Sequence, residues 1–482
     1  MASRAFNCGR RAVCISQQSY IQQRTLSTLP RLQQRAIASP QLQPWLHIPR
    51  PTQCLRSIPV GLARYSSGAS EGLAKTPLHE LHLRYGGKMV EFGGYDMPVQ
   101  YSGQSIGESH KYVRSACGLF DVSHMVQHQF TGKTVIGFLE SMTPSDLGGL
   151  QPFHSTLSVL LLPSGGIVDD TVITKHSDEA FYVVTNAGCR DKDLKYLHMK
   201  LQEWNAKHSE DEFVRHDVVN RGLVALQGPA SQQVLQSLMT PEFKNLDGLY
   251  FGQAMFGALA VDGEEVSVHI ARGGYTGEDG FEISIPKEQT EKVTEALLAA
   301  EDGITKLAGL GARDSLRLEA GMCLYGHDLN EDTTPVEGAL TWVVAKNRRD
   351  RGDFPGAKQI VNEIKNKPSR RRVGLIVKGA PAREGAIIKN SEGKDIGVIT
   401  SGCPSPTLGQ NIAMGYVEEN YKKAGTEIGV EIRGKVRQAV ISKMPFVPAK
   451  YYKGEASGSE GTGSTFRDTA IGAALLALMP EF

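Results

Sequence analysis

The chain repeatedly sets two β-rich runs on either side of a short glycine-bearing turn. This pattern commits consecutive strands to antiparallel pairing. TLSVLLLPSGGIVDDTVIT, from Thr156 to Thr174, turns at Pro-Ser-Gly-Gly, and EVSVHIARGGYTGEDGFEISIP, from Glu265 to Pro286, turns at a glycine-rich loop. EAFYVVTNAGC continues the first sheet. Between the hairpins lie single segments with helical spacing of apolar residues: DKDLKYLHMKLQEW, EQTEKVTEALLAAEDG and GARDSLRLEAG, the last placing Arg313 and Arg317 about one turn apart. RGLVALQGPASQQVLQSLM reads as a strand, a Gly-Pro stop and a helix. Hairpins mixed with single helices predict an α+β fold rather than a doubly wound parallel sheet. From about Arg371 the texture changes to strand after strand, through RRVGLIVKG, NIAMGYV and TEIGVEIRGKVRQAVISKMPF, which predicts a small all-β sandwich or barrel. The basic stretch KNRRDRGDFPG precedes it.

At 482 residues the chain exceeds one ordinary core, so two or three domains are expected. The formal net charge of +1 hides an asymmetry. Residues 1–70 hold nine arginines and no Asp, Glu or Lys, while the remainder carries 44 basic against 52 acidic residues, about −8. The mildly acidic body gives no drive toward nucleic acid. The arginine-, serine- and glutamine-rich leader lacks a continuous apolar core and has the composition of an organelle transit peptide, with processing expected near Tyr65. The end, GEASGSEGTGSTFRDTAIGAALLALMPEF, reads as a Gly/Ser linker plus an apolar piece too short to span a bilayer.

The seven cysteines include no C-x-x-C pair, which argues against a zinc ribbon or a dithiol redox site and suits a reducing compartment. GLGARD lacks the third glycine and the βαβ context of a dinucleotide fingerprint, and neither a phosphate-cradling G-x-x-x-x-G-K-[ST] loop nor a G-x-S-x-G elbow occurs. The alternation Val122, His124, Val126, His128 reads as one strand on which the two histidines share a face, so no metal is expected there. With no nucleophile or metal announced, function must rest on polar groups positioned by several strands.

Asp169 and Asp170 stand together inside a β-rich run, where charge is disfavoured and costly if buried without a partner. Strand alternation puts Ile167, Asp169, Thr171 and Ile173 on one face and Val168, Asp170, Val172 and Thr174 on the other. Asp170, flanked by valines, is the better candidate for a carboxylate that accepts or steers a proton from a partly apolar pocket. The alternative is a hairpin edge with both acids solvated. In GEDGFEISIP, Phe281, Ile283 and Ile285 form an apolar face opposite Glu282 and Ser284. Glu282 could accept paired hydrogen bonds from a planar ligand, or it could be an ordinary outward acid. Arg313 could equally be a surface helix residue.

Eight motifs occur in order: GGKMVEFGGYDMPVQY, LFDVSHM, GGIVDDTVIT, GYTGEDGFEIS, GARDSLRLEAGMCLYGHD, TPVEGAL, TSGCPSP and SKMPFVPAKYY. Together, from about Thr76 to Lys453, they resemble the aminomethyltransferases of the glycine cleavage system, the T-protein family, and the long leader resembles its mitochondrial form. The resemblance implies a three-domain cloverleaf: two mixed α/β lobes, the second inserted into the first, and a C-terminal all-β barrel. The expected division is a transit peptide at 1–67, a first lobe at 68–114 and 209–335, a second at 115–208, a barrel domain at 336–453 and a tail at 454–482. The implied reaction moves a one-carbon unit from the aminomethyl group on the lipoyl arm of a partner H-protein to tetrahydrofolate. It releases ammonia and forms 5,10-methylenetetrahydrofolate, in the mitochondrial matrix, with the enzyme a monomer on its own and without metal, membrane or nucleic acid.

By matching motif, the resemblance implies that Asp170 is the key aspartate beside the accepting folate nitrogens and that Glu282 holds the amino edge of the pterin. It further implies folate contacts from Arg313 and Tyr451, a pocket position for Met125 and a supporting role for Arg372. The cluster Arg370–Arg372, on an otherwise acidic body, could meet an acidic H-protein or the glutamate tail of folate, or form a solvated basic face. Two related readings fit less well. Flavin-fused demethylating relatives need a dinucleotide fingerprint, which is missing. Folate-binding relatives in iron–sulfur maturation carry a Lys-Gly-Cys…Gly-Gln-Glu type motif, where this chain has AGMCLYGHD around Cys323.

Overall fold

The computed structural model describes residues 72–454. The expected transit peptide (1–67) and the tail (454–482, apart from Gly454) lie outside the described residues. After a short helix, His79–Arg84, strands β1 (Gly87–Phe92) and β2 (Tyr95–Tyr101) pair as a separate hairpin. Eleven strands then make one long sheet. They are β3 (Cys117–Asp121), β4 (Val126–Thr131), β5 (His154–Leu161), β6 (Ile167–Ser177), β7 (Ala180–Thr185), β8 (Arg215–Val218), β9 (Arg221–Gln227), β10 (Gln253–Val261), β11 (Glu264–Arg272), β12 (Gly280–Pro286) and β13 (Thr305–Leu307). Their spatial order is β13-β3-β9-β12-β11-β10-β5-β6-β7-β4-β8, and only β13 with β3 runs parallel.

One register pair, Gln253 with His154, joins β10 to β5, so the sheet has two arms around a narrow hinge. Each arm has its own apolar core. Val224, Leu226, Leu259, Ile270 and Phe281 belong to the first, and Phe130, Phe138, Leu160, Val168 and Phe181 to the second. The arms also approach each other across their faces. Gln127 of β4 accepts at Oε1 from Tyr182 of β7 (2.8 Å) and from Ser284 of β12 (2.6 Å), and its Nε2 donates to the Arg221 carbonyl (2.8 Å). The sheet is therefore curled, which brings β12 opposite β7.

The third core is a closed barrel of β14 (Arg370–Val377), β15 (Ile387–Lys389), β16 (Asp395–Ser405), β17 (Gln410–Glu418), β18 (Glu427–Ile432) and β19 (Lys435–Ser442). Leu375, Ile388, Val417 and Val430 fill it. The architecture is thus α+β, with mixed lobes followed by an all-β barrel, as the alternating pattern and the late run of strands predict.

The hairpin at Pro163 forms as expected, and its glycines are required by what packs on the turn. Gly165 has φ +93°, and a Cβ on Gly166 would stand 1.7 Å from the Glu331 carbonyl oxygen. That close approach lets Ile167 N–H donate to the carbonyls of Asn330 (3.3 Å) and Thr333 (3.1 Å), tying the root of β6 to a distant loop.

One expectation is corrected. The run from Val122 to His128 is not one strand: β3 stops at Asp121, Met125 N–H closes a turn on the Val122 carbonyl, and β4 starts at Val126. Asp121 causes the break, because its Oδ1 accepts from Ser123 N–H (2.9 Å) and pulls the backbone out of the ladder. His124 therefore packs against Phe92 in the turn, while His128 bonds His216 and Thr185. The basic stretch before the barrel, on which the sequence carried no structural expectation, is ordered. Lys346–Arg351 is helical, and buried Arg348 donates to the carbonyls of Ser145 (2.7 Å) and Glu140 (2.8 Å).

Candidate active site

Asp169 and Asp170 do occupy opposite faces of β6, but the deeper carboxylate is Asp169. Asp169 is fully buried and Asp170 half-buried, while Val172, expected to shield Asp170, is 38% exposed. The reason lies outside the strand. Asn186, at the exit of β7, donates from its backbone N–H to Asp169 Oδ2 (2.9 Å) and from Nδ2 to Asp169 Oδ1 (2.9 Å). The same Nδ2 also reaches the Asp170 carbonyl and Asp170 Oδ1, each at 3.1 Å. One amide thus sets the orientation of both acids, and among the described residues no side-chain donor reaches Asp170 Oδ2.

Burial pushes the Asp170 carboxyl up to about 7, with the neighbouring charge of Asp169 adding to the rise and the Asn186 amide opposing it. A more distant anion, Asp328, acts in the same direction as Asp169. Asp328 is itself buried, with its carboxyl held down by Arg317 (2.7 Å) and Arg372 against the effect of burial.

Glu282 lies on β12, in register with Ala225 and Ala271, on the same face as Ser284. Because Ser284 bonds Gln127 across the curled sheet, Glu282 one pleat away faces the β4–β7 arm and not bulk water. It is half-buried, and among the described residues no protein donor reaches its carboxylate. Burial raises its carboxyl, and Arg313 opposes the rise. Arg313 comes from helix Leu310–Glu319, and its guanidinium stands 4.7 Å above the Tyr275 ring. Arg313 Nη1 is sealed from solvent and has no hydrogen-bond partner. Tyr275, whose hydroxyl donates to the Cys323 carbonyl, feels the charges of both Asp170 and Arg313. Asp170, Tyr275, Arg313 and Glu282 thus converge from β6, the β11–β12 turn, a helix and β12.

The other expected residues take different places. Met125 is half-buried against Phe120, Val122, Leu223, Ala225 and Ala312, beside the residue that Glu282 pairs with. Tyr451 stacks on Phe251 (4.0 Å between centroids, 15°), and the adjacent Lys450 N–H bonds the Gly277 carbonyl. It therefore reaches the turn that carries Tyr275 but makes no described contact with Asp170, Glu282 or Arg313. Arg372 is buried in the barrel wall, donating to the carbonyls of Gly338 (2.9 Å) and Gly321 (3.1 Å) and to Met414 Sδ (2.9 Å). Its donors brace the barrel against the loop before it. Arg370 pairs with Glu337 (3.1 Å), and Arg371, Lys422 and Lys443 line a small groove of about 160 Å³. A larger groove of about 730 Å³, beside Gln232, Arg272 and Tyr452, includes none of the convergent residues. The half-exposed acids and the orphaned Arg313 nitrogen mark the site better than groove size does.

Sequence reasoning missed Asn186, Tyr275 and the Arg317–Asp328 pair. Asn186 carried a readable signal, an amide where a strand gives way to a helix, but nothing in its spacing points back to residues 16 and 17 positions earlier.

Mixed lobes and a terminal barrel thus bring two acids and an arginine to one recess, an arrangement suited to an enzyme that works by positioned polar side chains. Comparison with known proteins makes this specific. Residues 78–348 match the family model described as the GCVT N-terminal domain, and 370–448 match the glycine cleavage T-protein C-terminal barrel domain. The chain is 47% identical to the probable mitochondrial aminomethyltransferase of Schizosaccharomyces pombe, over 80% of this chain and 96% of that protein. It is 46% identical to the mitochondrial aminomethyltransferase of Homo sapiens, over 83% and 96%. The crystal structure of glycine cleavage system aminomethyltransferase T from Bartonella henselae superposes with a TM-score of 0.71 at 38% identity, covering 79% of this chain and all of that one. The chain belongs to the glycine cleavage T-protein family of aminomethyltransferases. It is a transferase, and its relatives place it in the mitochondrion.

Proposed function

We propose that the chain transfers the one-carbon unit of an aminomethyl group, carried on the lipoyl arm of an H-protein, to tetrahydrofolate in the mitochondrial matrix, with Asp170 as the catalytic carboxylate. The two hydrogens on the accepting folate nitrogens leave as the protons taken up by ammonia and by the departing lipoyl sulfur, and the carbon bridges the two nitrogens. The chain needs a fixed acceptor that can steer a proton from one of those nitrogens and stabilise positive charge at the migrating carbon. Asp170 has the properties for this. It is held in one orientation by Asn186, keeps one oxygen free, and has a carboxyl raised to near neutrality.

The residues present suit a reduced pterin. Glu282 offers two adjacent acceptors with no protein donor, matching an amino group beside a ring N–H, and Arg313 Nη1 is a buried donor awaiting an acceptor. Met125 and Tyr275 supply apolar and aromatic surface nearby, and Tyr451 closes the rim from the end of the barrel domain. The single observation that carries the reading is the juxtaposition of a half-free, uncompensated Asp170 with the Glu282–Arg313 wall across the curled sheet. The test supplies aminomethylated H-protein and measures ammonia with and without tetrahydrofolate. Release that depends on tetrahydrofolate in the wild type and vanishes in Asp170→Asn supports the reading. Release that is indifferent to both overturns it.

A further inference from the structure

Behind Asp170 lies a second acid that the reaction as described does not use. Asp193 sits in the first turn of helix Arg190–Asn205 and is fully buried. Among the described residues neither of its oxygens has a hydrogen-bond donor in good geometry, and the nearby Thr185 hydroxyl only partly opposes the rise of its carboxyl. Its carboxyl, the Asp169 carboxyl and the Cys189 sulfur all lie within 4.8 Å of one another. We propose that Asp193 is a positioning residue for transfer: it holds a proton that it shares with Asp169, and the one negative charge left on that pair is what anchors Asn186 against Asp170. This rests on the proposed role of Asp170.

The argument is one of counting donors and charges. Asp193 and Cys189 close on Asp169, and Asp169 in turn acts on Asp170, so three carboxyls follow one another. Among the described residues the cation that acts on Asp193 and Cys189 is Lys192, which places its Nζ on the Val168 carbonyl (2.6 Å), the Tyr325 hydroxyl (2.7 Å) and Glu331 (3.4 Å). The other titratable groups that feel these charges are Cys189, Tyr325, Tyr275 and Cys323, all kept neutral by burial, and Asp328, neutralised by Arg317. Three anions cannot share so dry a space, so at least one carboxyl keeps its proton. Asp169 receives two N–H bonds from Asn186 and a bond from the Cys189 thiol, which favour its charged form against burial; Asp193 receives no N–H and is opposed only weakly by the Thr185 hydroxyl. The proton therefore belongs on Asp193. As an acid, Asp193 becomes the O–H donor that a lone pair of Asp169 still lacks. Burial and the Asp169 charge both raise the Asp193 carboxyl, in agreement.

The consequence reaches the reacting carboxylate through Asn186. With Asp193 neutral, Asp169 stays anionic and keeps both donors of Asn186. The Asn186 amide then remains turned toward Asp170 Oδ1 and leaves Oδ2 for the substrate.

The experiment compares Asp193→Asn with Asp193→Leu in the full-length protein. Asparagine keeps a neutral donor; leucine keeps only bulk. Asp193→Leu should lose about tenfold or more in kcat with KM for tetrahydrofolate little changed, and Asp193→Asn should recover most of that loss with the acid limb of its pH profile where the wild type has it. Infrared spectra should show a protonated-carboxyl band that persists at about pH 8 in the wild type and is missing from Asp193→Asn. That band does not depend on activity and stays decisive if Asp193→Leu fails to fold. The proposal is overturned by a shifted acid limb in Asp193→Asn, by no such band in the wild type, or by a stoichiometric metal lost from Asp193→Asn. Asp170→Asn separates the two claims: if it remains active, the role of Asp170 fails whatever the Asp193 variants do.

Discussion

Strands β6 and β12 each present one half-buried acid to the same recess, and they differ in what stands opposite. Asp170 faces an amide and other carboxyls, and burial together with Asp169 raises it to about 7. Glu282 faces a guanidinium, and Arg313 offsets part of the effect of burial. Two acids of the same chemistry therefore have different work open to them. An acid poised near neutrality with no cation can exchange or steer a proton, whereas an acid compensated by arginine is better suited to holding a fixed shape. The difference arises from neighbours contributed by other elements: Asn186 for one strand, helix Leu310–Glu319 for the other.

Four experiments can break or sharpen this contrast. The largest effect is expected from Asp170→Asn, which should lower kcat about a thousandfold while changing the dissociation constant for tetrahydrofolate only a few-fold. An equal loss in binding would merge the roles of the two strands. Next, Glu282→Ala should weaken tetrahydrofolate binding by about 10- to 100-fold, read by calorimetry, with a smaller effect on kcat. An unchanged dissociation constant would remove Glu282 from the pterin wall.

Third, kcat/KM should fall about tenfold per pH unit below about pH 7, because the proposed mechanism needs Asp170 as the anion and its carboxyl protonates in that range. A profile flat down to about pH 5 would mean that its carboxyl is not raised at all.

The smallest effect is on stability. The folded-state carboxyl of Asp170 is raised above its unfolded value, so the folded protein holds more protons between the two and stability falls as pH rises from about 4 to about 7. Asp170→Asn removes that penalty. It should raise Tm by about 1–3 °C at pH 8 and by less at pH 5. A lower Tm at pH 8 would show that the charged form is better compensated than its neighbours suggest. A catalytic acid that costs stability would fit a site selected for reactivity over packing.

Much of the fold was legible. The Pro163–Gly166 turn, the period-two runs flanking it, helix Arg190–Asn205 and the late succession of strands all follow from local pattern, because hydrogen-bonding periodicity and turn chemistry act over a few residues. The break at Asp121–Met125 was not legible. There a side chain bonding its own backbone overrode an alternation that looked continuous. Of the site, alternation correctly put Asp169 and Asp170 on opposite faces, and Glu282 with Ser284 away from the apolar face. It could not give the depth of either aspartate, since that depends on groups such as Asn186 and Asp193 that other elements supply.

The sequence by itself determined which residues could share a strand face, where the chain had to turn, and that an acid pair would interrupt an apolar run. Only the tertiary structure decided which acid keeps its proton, which stays open to the recess, and that β12 stands opposite β7. The physical reason is range. Strand alternation is a property of neighbouring peptides, whereas desolvation and charge coupling depend on groups that the folded chain brings together from far apart, such as Gln127 and Ser284, 157 residues distant in sequence.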